Sequence, residues 1–233
     1  MNESENRQES EGGENKGRQV LRTEREWRSL LIRSERETAR FLKFYEESFA
    51  VPEDALNGGD RLDHCALAMG WHLSAESANA SEDEEIPSEN SEPESRSVEF
   101  PAVYSLHNLP ESIAVSAICL FARSRWKRLW ETPYAGKLSA RSAFNLAETL
   151  AATQRDMLLA IDAEDAMEFG LAVCLMKNVH TTLNRHFAEM ECLPTAVNDG
   201  TYTNTVQELR CALMDLRDVC LRILRDARAE LSK

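Results

Sequence analysis

The sequence predicts an all-α protein: an up-and-down four-helix bundle in the C-terminal half, additional N-terminal helices, and an acidic disordered insert. Three observations predict it. Lys137 to Met190 carries the longest unbroken helical pattern, the last helix repeats the same heptad rhythm, and residues 74–99 break composition abruptly. In the long stretch Ala140, Ala143, Ala147, Leu150, Met157 and Ile161 recur at steps of three and four, with Gln154 the polar member of the row. That is a heptad seam. Ala166, Phe169, Val173, Met176, His180, Leu183, Phe187 and Met190 resume the rhythm after a jump of five.

The jump predicts a turn and an antiparallel hairpin, with Asp162 capping the second helix and Glu164 and Asp165 beside its positive end. One long bent helix is the alternative, because no Gly or Pro stands at the junction. In the hairpin His180 falls opposite Ala147, where Glu148 or Asn145 is placed to hydrogen-bond it. His180, Gln154 and Glu148 are therefore the candidate buried polar groups.

The chain has 233 residues, 42% of them hydrophobic, and a formal charge of -13. The charge is uneven: residues 1–102 hold 12 Lys and Arg against 24 Asp and Glu, and residues 103–233 hold 15 against 16. The bundle is thus close to neutral, and net acidity alone does not exclude a nucleic-acid partner. No apolar run approaches the roughly 18 residues of a spanning helix, and Met1–Glu5 lacks a signal-peptide pattern. A cytoplasmic location, with no membrane partner, is expected. The six cysteines form no CxxC pair. Cys119, Cys174 and Cys220 sit among apolar helical positions, which predicts buried thiols.

In chain order, residues 1–17 are too polar to offset ordering entropy and are expected to form a disordered tail. Residues 18–76 form an N-terminal helical region. Thr23 and Glu26 make a capping box ahead of the row Trp27, Leu31, Ser34, Thr38, Phe41, Tyr45, Phe49, whose aromatic end is expected to pack on the bundle. After Pro52 and Asn57-Gly58-Gly59-Asp60, a shorter pattern follows in Leu62, Cys65, Ala66, Met69 and Leu73. His64 and His72 lie about 12 Å apart along it, too far to share a metal. Residues 77–100 read as an acidic linker, either a solvating spacer or a strip for a basic partner.

Residues 101–233 supply the bundle. Pro110 suits a first helical turn, followed by Val115, Ile118, Cys119, Ala122, Trp126, Leu129 and Trp130. After the hairpin and the turn signal Asn198-Asp199-Gly200, the last helix is expected to open with a capping box of Thr205 and Glu208. Its seam is Val206, Leu209, Leu213, Leu216, Cys220, Ile223 and Ala227. Narrow seams and short loops favour antiparallel packing at small angles.

The string Arg141-Ser142-Ala143-Phe144-Asn145-Leu146-Ala147-Glu148, with Phe169-Gly170-Leu171-Ala172 after the turn, resembles the small four-helix-bundle proteins encoded by intervening sequences of bacterial 23S rRNA. The resemblance spans about half the chain. A proline usual before that Asn is absent, and Thr149 stands where Gly is expected. The resemblance implies a symmetric oligomer without catalytic residues; relatives that accompany reverse transcriptases in diversity-generating retroelements bind nucleic acid and protein through basic faces.

Chemistry-bearing motifs are few. Arg123, Arg125, Trp126, Lys127 and Arg128 offer cations for phosphates and a ring for a base, which suits RNA or single-stranded DNA. The same spacing of Trp126 and Trp130 also suits a core-facing helix. In the last helix Arg210, Arg217, Arg222, Arg225 and Arg228 alternate with Asp215, Asp218 and Asp226, a solvated, self-paired face. No Glu-x-x-His occurs, so a di-iron site lacks its ligands; His186 and Glu189 have only the reverse order. Gly-x-Ser-x-Gly and phosphate-cradling glycine loops are absent too, and no cofactor is expected. The expected function is non-enzymatic: self-association or protein partner binding. A nucleic-acid-binding accessory bundle is the first alternative, and an enzyme or metal site around His180 the second.

Overall fold

The computed structural model describes residues 23–51, 61–71, 109–133, 140–191, 193 and 199–233. These form six helices and no strand: α1 (Glu24–Ser48), α2 (Arg61–Met69), α3 (Pro110–Trp130), α4 (Ala140–Asp165), α5 (Phe169–Glu191) and α6 (Gly200–Leu231). None is long and apolar enough to cross a membrane. The expected tail at 1–17 and linker at 77–100 lie outside the described residues.

Helices α3 to α6 close a ring, each packing on its chain neighbour and α6 returning onto α3. This is the up-and-down bundle. Its hub is α3 rather than the α4–α5 stretch, because α3 also carries α1 on its outer side. The composition of α3 explains the role: Ile113, Val115, Ala117, Ile118, Phe121, Ala122 and Leu129 bury more than one face, so neighbours are needed all round. Helix α2 packs against α1 and buries Leu62, Cys65 and Met69.

Helix α1 starts at the expected capping box, with Thr23 and Glu26 bonded reciprocally. Phe41 and Tyr45 are buried, and Phe49 stacks on Phe121 of α3 at 4.9 Å between ring centroids. Helix α6 begins earlier than its sequence suggested. Asp199 is the N-cap, accepting from the Thr201 and Tyr202 amides, so Thr205 lies inside the helix, donating to the Thr201 carbonyl at 2.8 Å. Glu208 is used elsewhere.

The α4–α5 junction is a turn, not a bend. Asp162 lies within α4 instead of capping α5. The Met167 amide donates to Glu164 and the Glu168 amide to Ala163 at 2.7 Å, closing a Schellman motif around Met167 at φ 62°. A left-handed residue is normally Gly, because a Cβ is strained there. Met167 is 78% exposed, so its side chain contributes little in return. Met167→Gly is expected to raise stability by about 0.5–1 kcal/mol in urea unfolding. An unchanged or lower midpoint would show that the strain is not relieved.

The seams of α4 and α5 hold at Leu150, Met157 and Ile161 and at Val173, Met176, Leu183 and Met190, and depart from the expected rows at single positions. In α4, Leu146, Leu150, Thr153, Met157 and Ala160 are buried, while Ala147 is exposed and Gln154 half-buried. In α5 the buried row is Ala172, Met176, Val179, Leu183, His186 and Met190. His180 is therefore half-buried, one position off the seam, and its Nδ1 lies 3.4 Å from Nδ2 of Asn184 on the same helix.

Candidate functional site

The Arg–Trp segment of α3 does not form one surface. Trp126 is 7% exposed and meets Trp130 edge-on at 5.9 Å. Arg125 is 6% exposed, with Nε 2.5 Å from Glu208 Oε2, Nη2 3.6 Å from Glu46 Oε1, and its guanidinium 4.2 Å from the Phe121 ring centroid. Arg123 reaches across to Gln154 of α4 and to its own Cys119 carbonyl. Only Lys127 and Arg128 of the proposed set face outward. Helix periodicity is the reason: five interface residues spread over positions 123–128 of one helix span more than its circumference. The nucleic-acid reading loses its ring and two of its four cations to the interior.

The buried polar candidates are also redistributed. Glu148 is exposed, Gln154 is taken by Arg123, and His180 does not reach the core. The buried histidine is His186, 0% exposed, with Nδ1 3.4 Å from Thr149 Oγ1 and 3.8 Å from Glu189 Oε2. Its Nε2 is buried without a hydrogen-bond partner. Burial, and then the neighbouring Arg185 charge, lower its pKa to about 4, so the imidazole is neutral at physiological pH. A second approach to this residue was available from the sequence: Ala172, Val179 and His186 are spaced by seven.

A polar cluster that sequence spacing did not suggest ties α1, α2 and α6 together. The Tyr45 hydroxyl donates to Asp215 Oδ2, and Arg61 Nη1 lies 3.3 Å from the same oxygen. Arg61 also sits 4.0 Å from the Phe49 ring centroid. Burial, followed by the Asp215 charge, raises the Tyr45 pKa well above the usual phenol value. Burial also raises Asp215, against the opposing pull of Tyr45 and Arg61. These groups come from helices more than 150 positions apart in sequence, so no local signal announces them. Their chemistry is that of a buried anchor: the acid is occupied from two sides.

The α6 face is self-paired only in part, Arg225 bonding the adjacent Asp226 at 3.1 Å. Arg222 reaches across to Asp63 of α2 at 3.3 Å. Beside it opens a cavity of about 530 Å³, floored by Phe41, Leu62, Trp71 and Ile223. Glu111, Glu164 and Asp226 stand on its wall, and the Glu164 pKa is raised by burial and then by the other two carboxylates. Among the described residues no group of three or more His, Cys, Asp or Glu side chains is disposed to hold a metal ion.

Cys65, Cys119 and Cys220 are buried thiols, with burial pushing Cys119 up to about 12 and Cys220 to about 11. Cys174 is exposed, against expectation, because it lies off the buried row of Ala172, Val173, Met176 and Val179. Comparison with known proteins adds no relative: no family model, no curated protein and no solved structure matches this chain.

Proposed function

We propose that this chain is a non-enzymatic helical-bundle protein that self-associates, with the N-terminal half of α1 as the contact and a second copy of the chain as its occupant. The carrying observation is the row on α1. The stripe that buries Tyr45 and Phe41 continues through Thr38 and Ser34 to Leu31, which is 44% exposed beside Ile32 at 42%. Laid antiparallel on its twin, this stretch is self-complementary. Leu31 stands opposite Ser34 and Ser34 opposite Leu31, large against small, while Arg28 comes beside Glu35 on both sides of the two-fold axis.

The charge pairs contribute little energy and mainly set register. Few apolar layers take part, so a weak dimer is expected, below the roughly 1,200 Å² of a stable interface. Resemblance to the rRNA-intervening-sequence bundles, which implies a symmetric oligomer, supports the same reading. Free thiols, including the exposed Cys174, support a reducing, cytoplasmic setting.

Light scattering on a size-exclusion column, over a range of concentrations, tests this. A concentration-dependent dimer is expected, abolished by Leu31→Asp, weakened by Arg28→Glu, and restored by Arg28→Glu with Glu35→Arg. A monomer throughout would overturn self-association and leave another protein as occupant. Nucleic acid co-eluting until salt removes it would overturn the scaffold reading in favour of a nucleic-acid partner.

A further inference from the structure

Between α5 and α6, beside the first turn of α2, lies a second groove of about 430 Å³ whose wall is basic. Arg61, Arg210 and Arg217 line it, with Asp215 as the one carboxylate among its described lining residues. Asp215 is already engaged by the Tyr45 hydroxyl and by Arg61. Arg210 and Arg217 make no ion pair among the described residues. The groove therefore keeps an excess of positive charge.

Two of its donors lack an acceptor. The Nε atoms of Arg61 and Arg217 are buried, and neither donates a hydrogen bond within the protein. Arg210 and Arg217 are two helical turns apart on α6, about 10 Å, and Arg61 enters from α2. Guanidinium groups pair with oxyanions in planar, charge-assisted geometry, and a phosphate offers enough acceptor oxygens to serve three of them where a carboxylate has two. Phe187 and Met214 form the apolar part of the wall. A ring and a thioether make a polarizable surface suited to another aromatic ring.

We propose that this groove binds a small aromatic phosphate, its phosphate held by Arg61, Arg210 and Arg217 and its ring against Phe187 and Met214. This site is separate from the self-association stretch of α1 and does not depend on it.

Calorimetry on the full chain at fixed ionic strength, with phenyl phosphate, inorganic phosphate and phenol as probes, tests the proposal. Phenyl phosphate is expected to bind most tightly. Arg210→Ala and Arg217→Ala are each expected to weaken it by about tenfold or more, the usual effect of losing a charged hydrogen bond. Arg228→Ala, at the exposed end of the same helix, is expected to leave binding unchanged. Arg210 is exposed, so its variant keeps the fold, which circular dichroism verifies. In the unaltered chain the Arg217 Nε–H resonance is expected to shift on titration with phenyl phosphate. No binding of phenyl phosphate, phenol binding as tightly, or equal weakening by Arg228→Ala would each overturn the site.

Discussion

Glu208→Gln is expected to destabilise the fold by about 2–3 kcal/mol, whereas Arg125→Met costs less than about 1 kcal/mol, although both remove the same ion pair. The asymmetry follows from which partner stays buried. Arg125 is 6% exposed and its Nε and Nη1 make no aligned hydrogen bond, so its compensation is the charge of Glu208 at 2.5 Å and, less closely, of Glu46 at 3.6 Å. Neutralising Glu208 strands a guanidinium between α1, α3 and α6. Removing Arg125 leaves two carboxylates whose side chains are 27% and 46% exposed and open to hydration. Met retains the volume and the contact with Phe121.

Urea unfolding of both single variants and the double variant separates these effects. The double variant is expected within about 1 kcal/mol of Arg125→Met alone, because the charge that made Glu208 necessary has gone. A larger loss for Arg125→Met than for Glu208→Gln would sink the account. So would a double variant as unstable as the sum of the two.

What was legible in the chain was the period of each helix and most of its buried row, and what was not was the exact edge of the α4 and α5 seams and the pairing across helices. In α6 the row Leu209, Leu213, Leu216, Cys220, Ile223, Ala227 is buried as its spacing predicts, and Ala212, Val219 and Leu224 beside it widen the buried stripe. In α4, Leu146 and Ala147 compete for one position, and Leu146 wins because it removes more apolar area from water. Leu150, Met157 and Ile161 are buried as the row predicts, while the Ala147 and Gln154 positions give way to Leu146 and Thr153. In α5 the stripe is fixed by Val179 over His180, and helical geometry then carries His186 inside seven residues later, ahead of the larger Phe187. The Tyr45–Asp215–Arg61 anchor and the Arg125 bridge join α1 and α2 to α3 and α6. Such contacts across long separations leave no periodic trace, and mixed charge on α3 and α6 reads equally well as a solvated face.

His186 makes stability fall as pH drops below neutrality. Its folded pKa of about 4 lies under the ordinary imidazole value of 6.5, so between these values the unfolded chain binds the proton and the folded one does not. The stability contribution is complete above pH 6.5 and is lost progressively down to about 4, amounting to about 2 kcal/mol at pH 5. Physically, protonation would place an Nε2–H donor in a core with no acceptor for it. Thr149 leaves little choice of tautomer: its hydroxyl donates to the Asn145 carbonyl at 2.6 Å, so His186 Nδ1 donates to it. Asp215 and Glu164, held above the usual carboxyl values by burial, add an opposite slope at the acid end of the range. The readout is therefore the difference between the unaltered chain and His186→Leu. That difference is expected to shift by about 2 kcal/mol in favour of the variant between pH 7 and pH 5. A difference constant with pH would mean that the imidazolium charge is compensated in the folded chain, with Glu189, whose Oε2 lies 3.8 Å from Nδ1, the group placed to do so.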